Sequence, residues 1–278
     1  METIQQVAGG SDLIAQLFLA FTAIIIILFV ISSAESLFGG ETSKMRETTT
    51  LLKDTVNAQK YVDQDPEGGS GQYIQNSKNE ANGIESTYSM YLMLSPDNFD
   101  TTETTKTLKH VFHKGFKSAF PVMSPGVFVE SGTNTLRIYM NSAAKWNNYV
   151  SVPNVPIGKW FHLVILMKGK YMDVYINGNV TQRHEFPDVP RLNKGNVYIM
   201  WPVTFPVAGD TVAAENVGEF KVSGAMKGMV SRLKYYSYAL TYATIDQLMS
   251  EGPSSTIESN TFKELPPYFH DDWWVTRY

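Results

Sequence analysis

The sequence predicts an all-β chain: an antiparallel β-sandwich of jelly-roll type, preceded by one N-terminal transmembrane helix. Three observations lead there. Residues 160–178, WFHLVILMKGKYMDVYING, hold two strand-like runs closed by an Asn-Gly pair. Short β-rich runs with turn residues between them recur over about 180 residues, the spacing of a sandwich. Residues 13–31, LIAQLFLAFTAIIIILFVI, carry no charge. The chain has 278 residues, room for one sandwich plus extensions.

The 160–178 stretch is the centre of the expected domain. Phe161, Leu163, Ile165 and Met167 share one face of a strand over 160–167, with His162 its only polar residue. Lys168-Gly169-Lys170 is a turn. Met172, Val174 and Ile176 then alternate with Asp173 and Tyr175, the period of a half-buried strand over 171–176. Asn177-Gly178 suits a two-residue hairpin, because both turn positions need positive φ. A third strand over 179–186 completes a meander marked by Trp160, Tyr175, Asn177 and Gly178.

From the N-terminus, residues 1–12 are a short polar segment and 13–32 the membrane helix. Nineteen helical residues would reach about 28 Å, the thickness of a bilayer's hydrocarbon layer. Leu13, Phe18, Phe21, Ile26, Phe29 and Ile31 would face lipid. A cleaved signal peptide is the rival, with Ser32 and Ala34 near a cleavage point. The apolar run is long for a leader, and Glu2 and Asp12 stand where basic residues would be expected. No Lys or Arg precedes the helix, while Lys44, Arg46 and Lys53 follow it, which places the C-terminal part in the cytosol.

Residues 33–71 read as a polar tether, ending in the turn-rich Asp65-Pro66-Glu67-Gly68-Gly69-Ser70-Gly71. The sandwich is expected over 72–252. Its strands begin at Tyr73-Ile74 and continue at 86–94, 108–112, 127–129, 136–140 and 149–152. After the meander come 196–201, 220–222 and 228–236. Residues 203–217 form a loop or insertion, and 242–250 hold one short helix stopped by Gly252-Pro253. Residues 253–278 are an extended aromatic tail. Its Pro266, Pro267, Tyr268, Phe269, Trp273 and Trp274 suit docking, on this domain or on a partner.

Composition limits the chemistry. The net charge of −4 makes no case for nucleic acid. With no cysteine there are no disulfides, thiolate metal sites or cysteine nucleophiles. No paired-carboxylate motif of the glycosidase kind is present, and Asp173, alone on its strand, reads as solvent-facing. The chain is therefore expected not to be an enzyme and to need no cofactor. His110 and His113, three apart on a strand, should face opposite ways and make a poor zinc site. Asp210 and Glu215 could offer oxygens to calcium, with nothing fixing their geometry. Trp146 and Tyr149 are candidates for stacking on a sugar, while Trp201 suits packing under the sheet. Asn179-Val180-Thr181 is an N-glycosylation sequon.

Several pieces resemble one family in one order. They are Gly83-Ile84-Glu85-Ser86-Thr87-Tyr88-Ser89-Met90-Tyr91-Leu92, His110-Val111-Phe112-His113-Lys114-Gly115 and Ser124-Pro125-Gly126-Val127. Val155-Pro156-Ile157-Gly158-Lys159-Trp160-Phe161-His162 and Asp173-Val174-Tyr175-Ile176-Asn177-Gly178 follow. The Tyr236-to-Ile245 spacing is where laminin-G-like domains close with a short helix. The set resembles the concanavalin A-like, or laminin-G-like (LamG), sandwich. With its Pro-Pro-Tyr and Trp-Trp tail, it is similar to membrane-anchored proteins of large nucleocytoplasmic DNA viruses. That resemblance implies a non-enzymatic minor capsid component of the virion, linking an internal membrane to the capsid shell through contacts with other capsid proteins. The alternative is a surface or secreted glycan-binding lectin, with carbohydrate as its partner.

Overall fold

The computed structural model describes residues 16–30, 48–64, 72–77, 84–99, 107–143, 145–206 and 219–258. The chain divides into two compact units, 1–47 and 48–278.

The described part of the first unit is one helix, α1, over residues 16–30. It is apolar on every side and exposed along its whole length, with Phe18 at 68%, Leu19 at 74% and Phe29 at 72%. Of the expected span residues, Phe21 and Ile26 also lie on α1, while Leu13 and Ile31 fall outside the described residues. No helix among the described residues is long and apolar enough to cross a membrane.

The second unit is a two-sheet sandwich. Its strands are β1 (Thr48–Thr50), β2 (Thr55–Val56), β3 (Lys60–Val62), β4 (Ile84–Leu94), β5 (Leu108–Gly115), β6 (Met123–Glu130), β7 (Leu136–Met140) and β8 (Asn148–Val152). They continue as β9 (Trp160–Gly169), β10 (Tyr171–Ile176), β11 (Asn179–Glu185), β12 (Asn196–Ile199), β13 (Thr204–Phe205), β14 (Val222–Ala225) and β15 (Gly228–Tyr236). Helix α2 is Tyr242–Ser250. One sheet runs β1-β15-β4-β9-β10-β11, with β2 also on β15. The other runs β13-β14-β5-β6-β7-β8, with β12 joining β5 to β3. Every pair is antiparallel except β14 with β5.

The meander forms as its residues dictate. Asn177 (φ 48°) and Gly178 (φ 76°) make the turn between β10 and β11. Phe161, Leu163, Ile165 and Met167 of β9 point between the sheets, opposite Phe112, Val127 and Ile138. The other side of β9 is buried too: Val164 and Leu166 pack against Ile245 and Leu248 of α2. Thr241 caps α2 by accepting from the Thr244 N–H (3.3 Å), and the Tyr91 hydroxyl holds its far end through the Leu248 carbonyl (2.6 Å).

Four expectations change. The sandwich starts at Thr48, inside the stretch read as a tether. Leu51 and Leu52, between β1 and β2, enter the core with Val56 of β2 and Val62 of β3, strands too short to show a period. Tyr73-Ile74 is not a strand, although Ile74 is buried. The domain runs past 252, because Thr55 exchanges backbone bonds with Thr256 and Glu258 (2.9 and 2.8 Å). Asp173 is not solvent-facing: it is 6% exposed and takes both N–H arms of Arg183, its direct cross-strand partner, at 2.6 Å.

Candidate functional site

The outward face of the eight-stranded sheet carries a row of rings in register. Tyr61 on β3 stands opposite Tyr198 on β12, Tyr198 opposite His113 on β5, and His113 opposite Gly126 on β6. Gly126 faces Tyr139 on β7, and Tyr139 faces Tyr149 on β8. Neighbouring centroids lie 5.2 Å apart for Tyr61 and Tyr198, 4.9 Å for Tyr198 and His113, and 5.2 Å for Tyr139 and Tyr149. Gly126 leaves the row's one gap, and a Cβ there would lie 2.8 Å from the Met123 sulfur.

The middle of the row is covered. Val203 and Phe205, at the start of the 203–217 insertion, and Phe220 and Val222, just after it, pack with Phe128 and Tyr139 into a second core. Arg137 clasps this cover. Its guanidinium binds Glu130 (2.7 Å) and Glu219 (2.8 Å) and lies 4.9 Å from the centre of the Tyr149 ring. Residues 207–218, with the calcium candidates Asp210 and Glu215, fall outside the described residues.

The β3 end stays open. Tyr61 is 43% exposed and Trp201 half-buried, with ring centroids 6.4 Å apart, and the buried Tyr198 packs against both from below at 5.2 and 5.4 Å. The Lys117 ammonium sits 5.6 Å from the Trp201 ring centre. The Asn196 amide donates to the Tyr61 hydroxyl. Tyr61 also forms a wall of an adjoining groove of about 550 Å³, whose polar lining includes Thr50, Lys53, Lys60, Asp63 and Gln72. Flat apolar rings with amide, carboxylate and ammonium groups at their rim are the chemistry of a small-ligand site.

Two buried histidines hold this platform in place. The Trp201 N–H donates to His110 Nδ1 (3.0 Å), so that nitrogen is an acceptor. His113 Nε2 meets the Phe116 carbonyl (2.7 Å) and must donate. His110 Nε2–H then donates to His113 Nδ1 across 2.6 Å. Every ring nitrogen is satisfied when both rings are neutral. Burial pushes the His110 imidazole well below its usual range. It lowers His113 to about 4, against the pull of the Phe116 carbonyl. This corrects the expectation that the two point apart. The β5–β6 register jumps between His110 and Phe112, so Val111 is an extra residue that returns both rings to one face.

The predicted sugar-stacking pair lies at the other rim of the covered zone. Trp146 is half-buried, edge-on to Phe120 (4.9 Å) and Phe220 (5.2 Å). Tyr149 is held under Arg137, with its hydroxyl donating to Glu219 (3.1 Å). Trp201, expected to pack under the sheet, instead lies on the outward face. Tyr61 escaped notice inside the supposed tether, and the one signal was the Tyr61-Val62 pair. Trp160 is half-buried at the start of β9, and the Tyr175 ring packs on the α2 side. The tail residues Pro266, Pro267, Tyr268, Phe269, Trp273 and Trp274 lie outside the described residues. Among the described residues no group of three or more His, Asp or Glu is placed to hold a metal. Ser89 Oγ and His162 Nε2 meet at 2.8 Å, but both are sealed beneath α2.

A family model of the concanavalin A-like lectin/glucanases superfamily matches residues 68–246. No curated protein matches the chain. Among solved structures, the receptor-binding domain of botulinum neurotoxin C/D mosaic serotype is similar at 13% identity. That match covers 62% of this chain and 37% of that one, with a TM-score of 0.42. The ligand-binding domain of botulinum neurotoxin serotype D, solved with N-acetylneuraminic acid, matches at 14% identity over 60% and 36%, with a TM-score of 0.40. A SAP-like pentraxin from Limulus polyphemus matches at 19% identity over 63% and 76%, with a TM-score of 0.39. The chain spans little more than a third of the toxin domains' length. With well over half of its length matched by the family model, the chain belongs to the concanavalin A-like lectin/glucanases superfamily.

Proposed function

We propose that the sandwich is a non-catalytic carbohydrate-binding module and that Tyr61 and Trp201, backed by the buried Tyr198, are its sugar platform. One observation carries the reading: an open aromatic platform, with Asn196, Asp63 and Lys117 at its rim, on a fold of the lectin/glucanase superfamily. The C–H face of a pyranose stacks on such rings, while its hydroxyls take the amide and carboxylate. Binding of the full-length chain to an array of neutral glycans tests this. Trp201→Ala should weaken any bound glycan about tenfold, roughly 1.4 kcal/mol. Equal binding by the variant and the native protein would remove the platform from the account.

Helix α1 supports a further part of the reading, a hydrophobic anchor. An apolar surface exposed on all sides is stable in lipid rather than water. A glycan-binding sandwich meets most ligands outside the cytosol, opposite to the side that Lys44, Arg46 and Lys53 indicate. Asn179, exposed at the start of β11, reports the side directly. The superfamily supports glycan binding ahead of the capsid bridge implied by the viral resemblance. A cytosolic sandwich with Asn179 unmodified would move the weight back to the bridge.

A further inference from the structure

A second groove, of about 310 Å³, is walled by Pro121 and Val122, by Asn141, Ser142 and Trp146, and by Arg191, Leu192 and Asn193. Its volume is at the small end for ligand sites, about 300–1,000 Å³. Asn141, buried, ties its three walls together. Its Oδ1 accepts from the Met123 N–H (2.5 Å), its Nδ2 donates to the carbonyls of Pro121 (2.9 Å) and Trp146 (2.7 Å), and its carbonyl accepts from the Arg191 N–H (2.8 Å). The edge-on contacts of Trp146 with Phe120 and Phe220 fix an indole that remains half open.

The groove is cationic. Arg191 is exposed, and its guanidinium has no ion-pair partner among the described residues. Behind Asn193 stands Lys114, 3% exposed. Its ammonium donates to the Asn193 carbonyl and to Asn193 Oδ1 (3.3 Å). Desolvation alone shifts this amine, down to about 8, with no carboxylate opposing the shift. Among the described residues no acidic one lines the groove. A buried ammonium without a counter-charge is costly, and an incoming anion relieves it.

We propose that this groove binds a sugar carrying a carboxylate, of the hexuronate class, with its ring against Trp146 and its acid group at Arg191. A guanidinium presents a planar fork matched to a carboxylate, and the adjacent indole face selects a ring over a bare anion. The choice of a sugar rests on the carbohydrate reading above. The preference for an acid stands on Arg191 and Lys114.

Saturation-transfer NMR on the full-length chain in detergent tests it, with glucuronate, glucose and acetate as probes. Glucuronate should bind at least tenfold more tightly than either other probe. Arg191→Gln should bring glucuronate to within about twofold of glucose, and Arg191→Lys should restore part of the preference. Arg191 is exposed, so these variants retain the fold. Equal affinity for glucuronate and glucose, or glucuronate binding indifferent to Arg191→Gln, would overturn the acid site while leaving the neutral-glycan platform standing. Glucuronate no tighter than acetate would overturn the sugar assignment here. Loss of neutral-glycan binding is read separately, on the array, and bears on the platform.

Discussion

Lowering the pH from 7 to 5 should destabilise the sandwich, because its buried histidines are built to be neutral. His113 and His162 are each held at about 4 by burial, and His110 is pushed in the same direction. In the unfolded chain each would titrate near 6.5. Between pH 6.5 and 4 the unfolded state therefore binds protons that the folded state refuses, so stability rises with pH there and is lost on acidification. From pH 7 to 5, each histidine lowered to about 4 withdraws about 2 kcal/mol, so His113 and His162 together withdraw about 4 kcal/mol. Domains of this kind have about 5–15 kcal/mol in all. Geometry gives the same sign. Protonating His110 or His113 would set an N–H against another donor, either the Trp201 amide or the partner ring. Urea unfolding of the full-length chain in detergent at pH 7, 6 and 5, followed by circular dichroism, measures the loss. Imidazole ¹⁵N shifts at pH 6 should show His110 and His113 protonated on Nε2 alone. An unchanged urea midpoint between pH 7 and 5, or a His113 ring that titrates near 6.5 in the folded protein, would refute this reasoning.

Core packing and the groove's keystone give two further tests. Leu163 is fully buried in the middle of β9, and Leu163→Ala should cost about 2–5 kcal/mol in urea unfolding. Asn141→Ala would leave the Met123 N–H and the Pro121 and Trp146 carbonyls without their partner, costing about 3 kcal/mol. The same variant should weaken glucuronate binding, because the three walls lose their common tie; full stability together with full affinity would contradict that role.

What the residues reveal on their own depends on whether local chemistry or tertiary context decides. The turn at Asn177-Gly178 was legible because two adjacent positive-φ positions admit few residues. The β9–β10 pair and helix α2 were legible because their apolar spacing repeats long enough to show a period. Strands β1 to β3 are two or three residues long, so a charged, threonine-rich stretch hid them and the exposed ring of Tyr61 with them. The His110–His113 contact was misread because a strand's alternation holds only until a bulge adds a residue, and nothing around Val111 announces one. Asp173 reads as solvent-facing because its ion-pair partner, Arg183, stands ten residues away on β11. Trp146 and Trp201 were visible as large aromatics. Which face and which rim each occupies follows from how Val203, Phe205, Phe220 and Val222 pack over the sheet.

The most direct test of the central claim is glycan-array binding of the full-length chain beside its Trp201→Ala and Tyr61→Ala variants. The account predicts that the native chain binds a defined set of glycans and that each variant weakens that binding about tenfold. Native and variant chains that bind alike, or a native chain that binds no glycan at all, would contradict it.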